Sequence, residues 1–109
     1  MNNRFFFYNK LTNIELIKKI SNNFEINDGY IIIQNYDSEN NLLEISDKAS
    51  NNNKILYGKI VNFNMKMEDI IKKIEEIEER KVKNKIKYNL ETIWVNKTFG
   101  GTYKAYIIY

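Results

Sequence analysis

The 109-residue sequence predicts an α+β fold: a small, mostly antiparallel β-barrel or curled sheet carrying two main helices. Three observations carry this. The chain opens on an unbroken aromatic strand, RFFFY at positions 4–8. Two segments show the 3.6-residue period of amphipathic helices, and they are separated by strand-like runs. The order β, α, β, loop, β, α, β, β then places the strands around a shared core in one domain, residues 1–109.

Arg4 to Tyr8 suits a strand covered on both faces. Thr12 with Glu15 three residues later is a capping-box pattern, and Leu16, Ile17, Ile20 and Phe24 follow at helical spacing, so a helix is expected from about Thr12. Asn27, Asp28 and Gly29 read as a turn, and Tyr30 to Tyr36 as the next strand. Asp37 to Asn53 is rich in asparagine and is expected to be a mobile loop with at most one short strand at Leu42 to Ile45. Lys54 to Phe63 is a third substantial strand, whose Gly58 marks a bulge or a close backbone approach. Met67, Ile70, Ile71, Ile74 and Ile77 define the second helix. Lys85 to Val95 and Thr102 to Tyr109 close the chain as a hairpin turned at Gly100 and Gly101. Asn96, Lys97 and Thr98 match a glycosylation sequon but are expected to be an ordinary turn.

Composition narrows the chemistry. The chain has no cysteine and no histidine, which removes disulfides, thiolate nucleophiles and the commonest metal ligand and general base. Carboxylates, hydroxyls, lysines and backbone amides remain. A formal charge of +3, spread over many lysines and two arginines among interspersed acids, is a mildly basic surface without the footprint of nucleic-acid binding. No segment has the length of a signal peptide's apolar region or of a membrane span, so a cytoplasmic protein with no membrane partner is expected.

The second helix carries four acids in KKIEEIEERK. At about 100° per residue its apolar positions occupy an arc of roughly 120° from Ile77 to Ile71. Glu76 lies nearly opposite, and Glu75 and Glu79 lie outside the edge. Glu78 falls inside the arc, about 20° from Ile71. A carboxylate on an inward face loses hydration, must find a partner, and in such surroundings can serve as a general base. The residues alone leave two readings: Glu78 turns inward, or it swings on the last turn to Lys81, Lys85 or solvent.

Taken in order, FFFYNKL, LYGKIVNF, IIKKIEEIEE and YKAYIIY resemble the gamma-glutamylcyclotransferase-like family, of the small gamma-glutamylamine cyclotransferase type, over nearly the whole chain. Tyr8 and Leu11 match the ends of that family's Tyr-Gly-Ser/Thr-Leu turn, and Gly58 matches its middle-strand glycine. Ile74, Glu75, Ile77 and Glu78 match its helix motif; Ala105 and Tyr106 match its closing strand. Asn9 stands for the turn glycine, tolerant of left-handed backbone angles. Lys10 replaces the hydroxyl residue, and Glu79 replaces the glycine that often follows the family's glutamate.

The resemblance implies an intramolecular reaction on a small-molecule gamma-glutamyl compound, yielding 5-oxoproline and a free amine, with no cofactor and no metal. It assigns Glu78 as the catalytic general acid/base. Tyr8, Asn9, Lys10 and Leu11 become the substrate-binding turn, whose backbone N–H groups would point at a bound anion or carbonyl. Tyr8 is otherwise a core tyrosine with its hydroxyl at the surface. Two alternatives stand beside it. One is a degenerate member of the family that binds a small ligand or partner, which Lys10 favours. The other is a ferredoxin-like nucleic-acid-binding domain, for which the sequence lacks an aromatic RNA-binding signature; the Tyr103, Tyr106 and Tyr109 series is explained as well by cross-strand packing.

Overall fold

A computed structural model describes residues 2–37, 39, 42–45, 53–78 and 90–109. Its elements are β1 (Asn3–Phe7), a 3₁₀ turn (Lys10–Thr12), α1 (Ile14–Ile20), β2 (Phe24–Asp37), β3 (Leu42–Ile45), β4 (Lys54–Phe63), α2 (Met67–Glu78), β5 (Leu90–Lys97) and β6 (Thr102–Ile108). The strands lie in the order β3-β2-β4-β1-β6-β5, and β2 pairs again with β5. That last pairing, Gly29 with Lys97 and Tyr30 with Asn96, closes five strands into a barrel and leaves β3 as an extension of β2. Among the described strands only β1 and β6 run parallel, in register at Phe5 and Tyr106; the other pairs are antiparallel.

The alternation of β1 divides the core in two. Phe5 and Phe7 face outward, where Val61 and Phe63 of β4 join Leu11, Ile17 and Ile20, and Ile70 and Ile74 of α2, in a layer beneath both helices. Phe6 and Tyr8 face the barrel interior with Ile31, Ile60, Val95, Ala105 and Ile107. A strand apolar on both faces is thus required because β1 lies between the two layers, as the continuous aromatic run predicted.

The barrel closes where glycines permit it. Gly29 and Gly58 are directly paired. A Cβ on Gly29 would meet the Asn96 carbonyl oxygen at 2.8 Å, and one on Gly58 would collide with the Phe7 carbonyl and reach Phe6 Cζ at 2.7 Å. Gly58 is therefore the close approach expected from the sequence. Gly29 is not the turn that Asn27, Asp28 and Gly29 suggest: the three residues run straight through β2, held on β4 from Phe24 to Ile33.

Two helix boundaries also differ from expectation. Thr12 belongs to the 3₁₀ turn, and Asn13 caps α1 by accepting the Glu15 N–H at 2.9 Å. Asparagine serves there because its side-chain oxygen reaches the first free amides of the helix. At the other end Ser21 terminates α1 and Phe24 joins β2, its ring against Phe63. β3 is the short strand foreseen between Leu42 and Ile45. The mobility expected of Asp37 to Asn53 falls largely on residues outside those described, as does the start of the strand expected from Lys85. Lys97 N–H to Gly101 carbonyl, 3.0 Å, closes the final hairpin.

Candidate functional site

β1 delivers its last residues to one mouth of the barrel. Tyr8 turns inward and is buried; its hydroxyl donates to the Ile108 carbonyl at 3.0 Å, and its ring meets Tyr36 edge-on with centroids 5.3 Å apart. Asn9 has a negative φ of −117 with ψ −141. It thus stays outside the left-handed region that a glycine would favour, and acts through its side chain: Oδ1 accepts the Leu11 N–H at 3.2 Å. Its carbonyl accepts both the Thr12 N–H and the Thr12 hydroxyl, each at 2.9 Å. The Leu11 amide expected to face a ligand is thus engaged within the turn.

Leu11 turns the other way, into the layer beneath the helices. Tyr8 and Leu11 consequently fix the turn from opposite sides of β1. Lys10, between them, is exposed and donates from Nζ to the Ile77 carbonyl at 3.1 Å. A cation at the last carbonyls of a helix meets the negative end of its dipole. Among the described residues no carboxylate lies within 4.0 Å of Nζ.

Glu78 is the last described residue of α2 and follows Ile77 directly. Ile70 and Ile74 are fully buried, and Met67 and Ile77 pack against the same cluster. Glu78 and Ile71, two turns apart on the same face of α2, are both half-buried, and Glu78 Oε2 is shielded from solvent. Glu76 is exposed, with Lys73 4.0 Å away. The Lys10 contact thus brings the turn to the helix end that carries Glu78, whereas the Tyr8 hydroxyl points into the barrel toward β6. Lys81, Lys85 and Glu79 lie outside the described residues.

The same mouth carries Tyr109, marked in the sequence only as part of a tyrosine series, together with Tyr36 and Glu91, which no sequence pattern marks. Tyr109 shares a hydrogen bond with the Glu91 side chain; burial first, then that bond and the Glu91 charge, push its phenol up to about 12. Burial, and secondarily the charge of Asp37, raise Tyr36 above the ordinary phenol value. The tyrosine series at 103, 106 and 109 divides by strand parity: Tyr106 packs on Phe5 under the helices, while Tyr103 and Tyr109 border the barrel interior at its two ends. Only knowledge of where the barrel closes assigns these positions.

Among the described residues no group of three or more carboxylates gathers as a metal site, and no helix is long and apolar enough to cross a membrane. No family model, curated protein or solved structure matches the chain.

Proposed function

We propose that the turn after β1 and the adjoining end of α2 together convert a gamma-glutamyl amine or peptide to 5-oxoproline and a free amine, on a fold of gamma-glutamylcyclotransferase-like type. The observation that carries the reading is the 3.1 Å contact between Lys10 Nζ and the Ile77 carbonyl, which sets the turn beside Glu78. An ammonium has three donors, and this contact uses one. The other two suit the α-carboxylate of a gamma-glutamyl substrate.

In the reaction the substrate's α-amino nitrogen attacks its own γ-carbonyl carbon. A C–N bond forms in the five-membered ring and the bond to the leaving nitrogen breaks. Glu78 takes the proton lost by the attacking amine and returns it to the leaving nitrogen, so the carboxylate is restored in each cycle. Nucleophile and electrophile share one molecule, so the protein's work is to hold a folded conformer and move one proton. Release of 5-oxoproline from a panel of gamma-glutamyl amines and peptides tests the reading.

A second reading, binding without turnover, is favoured by the Leu11 N–H, which Asn9 Oδ1 already occupies. It predicts a thermal shift with 5-oxoproline or glutamate and no product release from any member of the panel.

A further inference from the structure

The opposite mouth of the barrel breaks the pattern that the rest of the interior keeps. Inward positions alternate along each strand, and at mid-height they are apolar: Phe6, Ile60, Val95 and Ala105. At the mouth where β1 begins, the same faces present Arg4, Asn27, Asn62 and Lys97 around Tyr103, with Glu25 at the rim, and line a cavity of about 110 Å³. Arg4 and Asn62 are register partners, as are Glu25 and Asn62, so strand pairing itself holds these side chains at one level. Polar groups at inward positions reduce the apolar burial available to a small barrel, and such local departures from pattern are where binding sites are expected.

The charges are arranged for an anion. Arg4 Cζ lies 4.6 Å from the Tyr103 ring centroid, and Lys97 Nζ lies 5.5 Å from the same centroid. The two cations are therefore at most about 10 Å apart, within a Debye length at moderate salt. Among the described residues neither has a carboxylate within 4.0 Å. Arg4 gives one N–H to the Lys104 carbonyl at a long 3.4 Å, which leaves most of its donor fork for other partners. Arg4 and Lys97 are half-buried whereas Glu25 is exposed, so solvent screens the opposing carboxylate more than it screens the cations. Arg4 also borders an adjoining cleft of about 320 Å³ with Asn2, Asn3 and Lys104, room for the body of a ligand whose anionic end sits at Tyr103.

We infer that this mouth is a binding site for an oxyanion group, phosphate or carboxylate, held by Arg4 and Lys97, which both pack on Tyr103, with amide donors from Asn27 and Asn62. Bidentate geometry makes Arg4 the principal anchor and Lys97 a point charge. The site is separate from the Lys10 and Glu78 mouth and does not depend on the reaction proposed there.

The test is an NMR titration of the whole chain with inorganic phosphate and, separately, acetate, against chloride at matched ionic strength. Saturable shifts of the Arg4 side-chain N–H and of the amide of Gly101, which lies against the Tyr103 ring, are expected with either oxyanion, and the stronger one names the ligand class. Arg4→Gln and Lys97→Gln should each weaken binding about tenfold, and Glu25→Gln should tighten it severalfold by removing the opposing charge. Lys18→Gln, on the exposed face of α1, should leave it unchanged. Lys97, at the end of β5, provides the informative variant should Arg4→Gln fail to fold. Shifts no larger than those of chloride, or saturation that survives Lys97→Gln and is indifferent to Glu25→Gln, would overturn the assignment.

Discussion

The ammonium of Lys10 donates to the carbonyl of Ile77 across 67 positions of sequence, at 3.1 Å. This one bond ties the turn after β1 to the C-terminus of α2 and sets a cation beside the position of Glu78. A hydroxyl residue at position 10 is too short to do the same.

Lys10→Ala should therefore affect substrate more than fold. The cap is exposed, so its loss should lower stability by about 0.5 kcal/mol. In turnover, KM should rise several-fold with kcat changed less, the pattern of lost ground-state binding. Steady-state kinetics with chemical denaturation of both proteins separate the two effects. A fall in kcat at constant KM would remove Lys10 from substrate binding.

Tyr8→Phe should behave in the opposite sense. The hydroxyl donates inward to the Ile108 carbonyl, and its removal should cost about 1 kcal/mol while KM changes less than twofold. A large KM effect without loss of stability would place that hydroxyl at the substrate.

Gly58→Ala and Gly100→Ala separate close approach from backbone conformation. At Gly58 a methyl meets the Phe7 carbonyl in the paired strand, which has no room to give, and a loss of about 3 kcal/mol or more is expected. At Gly100 nothing lies within 4 Å, but φ is +85, so about 1 kcal/mol is expected from conformation alone. Urea midpoints of the two variants measure the difference, and equal losses would contradict the tight β1–β4 crossing.

Tyr109 supplies a pH prediction. Its phenol is pushed from the ordinary 10.0 to about 12, by burial first and by Glu91 second. Between those values the unfolded chain has released this proton and the folded chain retains it, so stability falls as pH rises. The contribution is fully present below pH 10 and is lost as pH passes through about 12. Ultraviolet titration should show a late tyrosine, and Glu91→Gln should move it only part of the way down, because burial remains. A full return to 10.0 would reverse the order of causes.

Much of this fold can be read from the sequence because local pattern and tertiary role agree. Phe5 to Phe7 are apolar on both faces because β1 truly has two buried faces, and the α2 period places Ile70 and Ile74 inward with Glu76 outward. Where they disagree, the sequence misleads. Asn27, Asp28 and Gly29 have turn chemistry, yet β4 holds one edge of them and the hairpin meets the other at Gly29. Barrel closure joins Gly29 to Lys97, and no local signal reports it; without it, Glu25, Asn62 and Lys97 look like scattered surface polars. For the candidate site, helix geometry singled out Glu78. The engagement of the Leu11 amide by Asn9, and of Lys10 by Ile77, needed the folded turn.

The most direct test of the account is a single comparison, 5-oxoproline release by the wild type and by Glu78→Gln on the same gamma-glutamyl panel. Glutamine keeps the shape and removes the base, so the account predicts measurable turnover in the wild type and a fall of about 10²-fold or more in the variant, with an unchanged circular dichroism spectrum. Turnover that Glu78→Gln leaves intact, or no turnover by the wild type on any member of the panel, would contradict it.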